Sequence, residues 1–496
     1  MKLNKYFLIG AMGLGLFACS DELDGNGQNG SLPQEGTTYA AVMLKFGNGD
    51  VARNVEGDYN DNDTHPQVKT KEEAVKRLQI IVLSGNTVEV RQVYLPNGGE
   101  NDTDTSDDIA TDNKYIIKMQ PGEKTFYAVV NAETDFTGTT ETELNKYLTD
   151  AVTNKKTSDL TADATGFMMT SVKQVDQTIV ADVDKNSAPE KNPVKIEVDR
   201  VVAKVTVKKS ETVSTPLNNM TLGKVEFALG NADLDATVIP NTATAKSGFF
   251  RMQKNDYMTP YSNFIPVSTD VHTVPDNNAY KNIVTSVSGV EGVTDGDYPT
   301  PLYCLENVHT AGNYWQKNTT YAAIRAEILC TKVVEITVTG EDDAMAWTGN
   351  VTDVSPAPTS IKPFYYIYAP ETLRGHLILK ETLEAETLKT SLGLDTSATI
   401  TDVLEKLKSL NSDFSISEEY DGHGYYEVWP NLSGTGDNAV SPIYRNNWYE
   451  LTITKLTLPG KPAIDIEDEH LLPPTNAEVQ VVLRAWNKVE HNVELQ

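Results

Sequence analysis

Alternating apolar and polar positions recur along this chain and predict many β-strands. Arg77 to Leu83 and Thr87 to Leu95 have this pattern, and Ser84-Gly85-Asn86 between them is typical of a hairpin turn. Further strand-like runs lie at residues 114–119, 124–131, 195–209, 320–339, 364–368, 425–429 and 448–458. Many strands joined by turn-rich connections favour β-sandwiches, so the sequence predicts a mainly β fold.

Two segments have helical spacing instead. Thr140 and Glu143 have the spacing of a capping box, and Leu144 and Tyr147 follow on one face. A second helix is expected to open at Thr401, with its apolar side formed by Val403, Leu404, Leu407 and Leu410. We expect both helices to pack as covers on a sheet.

A polar, proline-containing break at residues 184–193 separates two groups of strands. We therefore predict an N-terminal β-domain at residues 54–195 and a C-terminal β-domain at 196–496.

Residues 1–18 have the features of an export signal. Lys2 and Lys5 precede an apolar stretch that is too short to span a membrane. Leu16-Phe17-Ala18-Cys19 resembles a lipobox, in which the cysteine is acylated and the signal is cut before it. Cys19 is thus the predicted lipidation site, and polar residues 20–38 follow as a flexible tether.

The two ends of the mature chain carry unusual strand patterns. Thr38 to Phe46 alternates between one face with Ala40, Val42 and Leu44 and another with Tyr39, Ala41 and Met43. The polar, glycine-containing stretch around Arg53 follows, and such a stretch is suited to proteolysis.

The C-terminal end alternates over 17 residues, from Val479 to Leu495, which is longer than most strands. A long terminal strand suits pairing with another chain, although it also fits a final strand of its own domain. The predicted donor face consists of Val479, Val481, Leu483, Ala485, Val489 and Val493.

The charge balance narrows the choice of partners. The chain has 42 Lys and Arg against 70 Asp and Glu, a formal net charge of -28. This excess of negative charge repels phosphates, so we expect no nucleic-acid partner. Cys304 and Cys330 remain as either a disulfide or two free buried thiols.

The sequence offers no catalytic or metal-binding constellation to predict. It lacks G-x-x-x-x-G-K-[ST], G-x-S-x-G, H-E-x-x-H and C-x-x-C motifs. The Asp58–Asp63 segment lacks the glycine and the glutamate of a calcium loop, and the acidic stretch 97–112 is typical of a solvated loop. Tyr314-Trp315 and Tyr425-Tyr426 could bind glycans, but aromatic residues in strands usually belong to the core. We predict no enzyme activity and no cofactor.

The chain resembles the fimbrillin family of type V pili, and within it the minor-fimbria type of major subunit. The motifs that carry the resemblance are spread over the chain in the order Met1-Lys2-Leu3-Asn4-Lys5 with its lipobox, Tyr127-Ala128-Val129-Val130-Asn131, Asp199-Arg200-Val201-Val202-Ala203-Lys204-Val205, Tyr444-Arg445-Asn446-Asn447-Trp448-Tyr449 and Leu483-Arg484-Ala485-Trp486-Asn487-Lys488-Val489.

The resemblance implies two transthyretin-like β-sandwich domains and a maturation route. A lipoprotein precursor reaches the outer membrane surface, and an arginine-specific protease cuts between Arg53 and Asn54, removing residues 19–53. The C-terminal strand of another copy, here 479–495, then fills the vacated groove. Expected partners are further copies of the chain, accessory, tip and anchor subunits of the fimbria, and host or bacterial surface receptors in adhesion and biofilm formation.

Two other functions stay open from the sequence. A tip or accessory adhesin would accept a strand without needing to donate one. A non-polymerising, glycan-binding surface lipoprotein would need no spare strand at all.

Overall fold

The structure of the protein is a computed structural model. It describes residues 37–46, 72, 74–95, 114–149, 151–152, 160–161, 165–171, 175–214, 219–230, 232–233, 236–237, 264–265, 281–282, 301–305, 307, 314–316, 319–434, 436–457, 459–464, 469–471 and 477–485. These residues are mainly β with short helices, as the sequence predicts. No helix in this part of the chain is long and apolar enough to cross a membrane.

The first part of the chain forms one large sheet. Its elements, with small neighbouring ones, are β1 (Thr38–Phe46), β2 (Leu78–Ser84), β3 (Thr87–Tyr94), β4 (Lys114–Met119), β5 (Gly122–Val130), α1 (Glu141–Thr149), β6 (Ala151–Val152), β7 (Met169–Ser171), β8 (Val175–Ile179), α2 (Ala188–Lys191) and β9 (Pro193–Arg200). The strand order is β3-β2-β5-β7-β9-β1-β4, and β8 pairs with β5.

The two end strands of this sheet lie close together. The Tyr94 hydroxyl on β3 donates a hydrogen bond to the Ile116 carbonyl on β4, at 3.1 Å. The rings of Tyr94 and Tyr115 lie 4.9 Å apart between centroids. The sheet therefore curves around one apolar core, which contains Ile80, Phe126 and Ile196.

The second part of the chain contributes two four-stranded sheets around another core. The elements outside the insert described below are β10 (Val202–Ser214), β11 (Met220–Gly230), β12 (Ala232–Asp233), β13 (Ala236–Thr237), β14 (Phe264–Ile265), β15 (Lys281–Asn282), β16 (Leu302–Leu305), β17 (Tyr321–Cys330), β23 (His423–Val428), a 3-10 turn (Gly436–Asn438), β24 (Asn447–Leu456) and β25 (Ala477–Ala485). The sheets run β16-β10-β24-β25 and β15-β11-β17-β23, and their shared core includes Val205, Phe227, Ile324 and Tyr449.

An insert between β17 and β23 has a core of its own. It contains β18 (Lys332–Thr339), a 3-10 turn (Asp342–Ala344), β19 (Ala346–Asp353), β20 (Phe364–Ala369), β21 (Leu377–Leu379), α3 (Lys380–Glu384), α4 (Glu386–Ser391), α5 (Ile400–Leu410) and β22 (Ser415–Ile416). Trp347 is central to it, packing on Phe414 and donating from Nε1 to the Leu407 carbonyl at 2.9 Å. The sequence predicts its main helix but not this separate cluster.

Both expected helices are present, with shifted ends. Thr140 and Glu143 form the expected capping box, with bonds of 3.2 and 3.0 Å. The helix ends at Thr149, because Ala151 and Val152 pair with residues 236–237 instead. The second helix is capped by Thr399 rather than Thr401, since Asp402 completes that box.

Two long strand-like runs are each two strands. The run 195–209 breaks at Val201, where the chain passes from the first sheet into the second. Pairing assigns residues 193–200 to the first sheet. The run 320–339 breaks at Thr331 in the same way, where the insert begins.

Buried polar contacts join the two parts at this passage. The Asn446 amide donates to Asp199 Oδ1 at 2.7 Å and accepts from Arg200 Nη1 at 3.1 Å. Lys204 and Glu72 form an ion pair of 2.9 Å with both side chains almost fully buried. These contacts lie across the passage, so they hold the first sheet against the second.

Candidate functional site

The feature that most resembles a functional site is the position of β1. This first described strand occupies an interior position, paired in parallel with β9 and antiparallel with β4. Val42 lies opposite Val194 on one side and Tyr115 on the other. Both backbone edges of β1 are therefore engaged, although the strand lies close to the start of the chain.

The inner face of β1 is buried, and its outer face is covered at Ala41, while Tyr39 and Met43 are half-buried. Ala40, Val42 and Leu44 enter the core of the large sheet. On the opposite face Ala41 packs against Val183 and Ala188, and its exposure is 0%. The two faces are those expected from the alternation, and burial on both sides explains why the sequence of β1 is almost continuously apolar.

The outer face of β1 is covered by residues 180–192, here called the cover. The cover includes α2 and pairs with the beginning of β1 through its backbone. The Tyr39 amide donates to the Val183 carbonyl at 3.1 Å, and the Ala41 amide donates to the Asn192 carbonyl at 3.0 Å. The sequence marked this stretch only as a polar break, so its contact with β1 was not predicted.

A sheet without β1 would be strongly destabilised at this place. The facing edges of β9 and β4 would lose their hydrogen-bond partners, and the core beneath Val42 and Leu44 would be open to water. Apolar burial stabilises by about 25 cal/mol per Å², and each unpaired buried backbone group costs about 1–3 kcal/mol. A strand of suitable length with apolar side chains on its core face would restore both contributions.

The C-terminal strand lies in the chain's own sheet over part of its length. β25 pairs antiparallel with β24, and the register places Val481 opposite Leu451, Leu483 opposite Tyr449 and Ala485 opposite Asn447. Ala477 is buried and Val479 packs on the core of the second part.

The structure thus differs from the picture of a free arm at residues 479–485, because β24 offers an edge that these residues fill. The other donor-face residues, Val489 and Val493, lie outside the described residues, as do Cys19, Arg53 and Asn54.

The two remaining cysteines are free thiols. Cys304 and Cys330 are both buried and unbonded to each other. Burial raises the pKa of each thiol to about 12, so both stay protonated at neutral pH. Of the two alternatives left by the sequence, the structure has the free thiols.

The aromatic pairs considered as glycan contacts belong mainly to the core. Tyr314, Tyr425 and Tyr426 are at most 2% exposed. Trp315 stacks on His470, with 4.1 Å between ring centroids. Among the described residues there is also no group of three or more His, Cys, Asp or Glu side chains arranged to hold a metal ion.

Two family models match this chain, one in its N-terminal part and the other near its C-terminus. Residues 40–200 match the family model described as major fimbrial subunit protein (FimA), which spans β1 through β9. Residues 418–492 match the model described as major fimbrial subunit protein type IV, fimbrillin, C-terminal.

The chain is 25% identical over 361 residues to the minor fimbrium subunit Mfa1 of Porphyromonas gingivalis, covering 66% of this chain and 68% of that one. Similar solved structures include a fimbrilin (FimA) of Porphyromonas gingivalis W83, at 14% identity and a TM-score of 0.46, covering 90% of this chain and 96% of that one. The tip fimbrial protein Mfa3 of the same species is similar at 14% identity and a TM-score of 0.38, covering 91% and 100%.

One fimbrillin model thus matches the sheet that holds β1, and another matches the region that holds β24 and β25. The chain is therefore similar to the fimbrillin family over residues 40–200 and 418–492, and to a minor fimbrium subunit over 361 residues.

Proposed function

We propose that this chain is a structural subunit of a bacterial surface fimbria with a role in adhesion and biofilm formation. In this proposal the precursor is exported as a lipoprotein acylated at Cys19 and is cut between Arg53 and Asn54. Copies then polymerise when the C-terminal segment of one copy enters the groove that β1 vacates in another. The resemblance implies two transthyretin-like domains, and the groove lies in the N-terminal one.

The observation that carries the proposal is the topology of β1. It is an interior strand with both edges paired, its inner face buried and its outer face partly covered, yet it is the first described strand of the chain. A single cut after Arg53 would free it, because the segment on its other side is the tether from Cys19. Loss of any other interior strand of the sheet would require two cuts.

The donor segment divides into two parts in this account. Residues 477–485 pair with β24 and anchor the C-terminus to its own subunit. Residues 486–495 continue the alternating pattern with Val489, Val493 and Leu495, and they are as many as a nine-residue strand needs. A segment of that length spans about 30 Å when extended, so it can replace β1 while β25 stays in place.

Contacts of this kind produce filaments. The donor and the groove lie on different parts of the subunit, so the contact is heterologous, and in this proposal the rotation between subunits does not close a ring. Accessory, tip and anchor subunits would use the same groove and donor at the filament ends, and the arginine-specific protease would set when polymerisation starts.

The Arg53→Ala variant tests this proposal. Purified precursor is treated with an arginine-specific protease, and polymer is detected as ladders by electrophoresis without boiling. Wild type should form ladders of subunits that begin at Asn54, whereas Arg53→Ala should keep residues 38–46 and stay monomeric. Arg91→Ala, which changes an exposed arginine on β3, is the matched control and should polymerise normally. Ladders of Arg53→Ala subunits that retain residues 38–46 would refute the proposal.

A further inference from the structure

A buried polar cluster lies at the beginning of β1. Thr38 and Asn192 are 0% and 1% exposed, unusually low for polar side chains on a strand and a loop. The Thr38 hydroxyl donates to the Val180 carbonyl at 2.7 Å and accepts from the Val183 amide at 3.1 Å. It therefore uses both its donor and an acceptor site within the cover.

Asn192 completes the cluster from the other side. Its Nδ2 donates to the Tyr39 carbonyl at 2.9 Å and to the Val180 carbonyl at 3.0 Å. Its Oδ1 accepts from the Val180 amide at 2.9 Å. One amide side chain thus joins the backbone of β1 to the backbone that leaves β8, and its polar atoms are all satisfied.

We propose that Thr38 and Asn192 form a retention lock that holds β1 in its groove after the chain has been cut. This inference rests on the proposed function, in which the cut falls after Arg53. That bond lies seven residues beyond the end of β1, so cutting it breaks none of the contacts of the lock. After the cut, β1 stays paired with β9 and β4 until the lock opens. A donor strand from another copy then has to enter before the empty groove rearranges or fills with water.

The chemistry of the lock requires a short hydroxyl side chain at position 38. A hydroxyl can donate to Val180 and accept from Val183 with one atom, which an apolar side chain cannot do. Valine has nearly the shape of threonine, so Thr38→Val removes these bonds with little change in packing. The buried Val183 N–H then loses its hydroxyl acceptor, and the Val180 carbonyl loses one donor. Serine keeps the hydroxyl and should keep the lock.

Hydrogen exchange followed by mass spectrometry on the full, uncut chain tests the lock independently of any cleavage. Thr38→Val and Asn192→Ala should each exchange the amides of 38–46 about tenfold faster than wild type, which corresponds to about 1.4 kcal/mol. Thr38→Ser and Asn186→Ala, an exposed asparagine in the cover, should exchange like wild type. β17 (Tyr321–Cys330), in another sheet, should be unchanged in all four variants.

Unchanged exchange over 38–46 in Thr38→Val would overturn the lock, and so would an equal acceleration in β17, which would indicate general destabilisation. Size-exclusion chromatography after protease treatment gives a second measurement. The N-terminal fragment should co-elute with the remainder in wild type and separate from it in Thr38→Val. Absence of cutting at Arg53 would refute the proposed maturation, whereas the exchange result would still decide on the lock.

Discussion

Val42→Ala should destabilise the precursor, and it should have no effect on a subunit from which the cut fragment with β1 has been removed. Val42 lies at the centre of β1, is 0% exposed and packs in the core of the large sheet. The change removes two methyl-sized groups at about 0.8 kcal/mol each. A cavity term of about 1 kcal/mol adds to this because the surrounding sheet relaxes only in part. The expected loss for the precursor is therefore about 2–3 kcal/mol.

Thermal unfolding of the precursor and of the subunit freed of its cut fragment measures this difference. A loss of 1 kcal/mol lowers the melting temperature of a domain of this size by about 2–4 °C, so the first transition of the precursor should fall by about 4–12 °C. Val205→Ala is the matched control, because Val205 is equally buried but belongs to β10. It should lower the stability of both forms. A Val42→Ala precursor that melts within 1–2 °C of wild type would refute the interior placement of β1.

Three further predictions concern the export signal, the C-terminus and the junction. Cys19→Ser should abolish lipid labelling and surface delivery, and surface assembly at the wild-type level would contradict the lipoprotein route. Deleting residues 486–496 should leave the fold intact but prevent ladders, and ladders from this variant would place the donor elsewhere. Deleting 477–496 should also remove β25, which pairs with β24, and should lower the free energy of unfolding by on the order of a few kcal/mol. Burial, with a smaller effect from Glu197, raises the pKa of Asp199 to about 7 despite Arg445 and Arg200. Between pH 4 and 7 the folded state then holds a proton that the unfolded state has lost, so stability falls as pH rises through this range. Asp199→Asn should weaken that pH dependence in urea unfolding, and an unchanged difference between pH 5 and pH 8 would contradict it.

The sequence predicted those features well that depend only on residues close together in the chain. Alternation identified β4 with its observed bounds and assigned the two faces of β1, because a pleated strand has a period of two. The capping box at Thr140 was also predictable, because both of its hydrogen bonds join residues within four positions of each other.

Features that depend on distant contacts were not predictable in the same way. The break at Val201 lies inside a continuous alternating run, so only pairing partners reveal the passage from one sheet to another. The docking of β25 on β24 also depends on which edge is vacant, and alternation fits an own-domain strand and a donated strand equally well.

The lock at Thr38 and Asn192 was missed for another reason. Asn192 stands in a polar, proline-containing stretch that has the composition of a linker, yet it is buried. Its partners lie 12 to 154 residues away along the chain, and no local pattern marks such a contact. A threonine at the start of an apolar strand was the one visible signal.

The structure of the assembled filament would test the central claim most directly. The decisive observation is the identity of the strand that lies between β9 and β4 of each subunit. We expect this strand to be formed by C-terminal residues from within 486–495 of a neighbouring copy, with residues 38–46 absent and each subunit beginning at Asn54. A filament in which each subunit keeps its own residues 38–46 between β9 and β4 would contradict it.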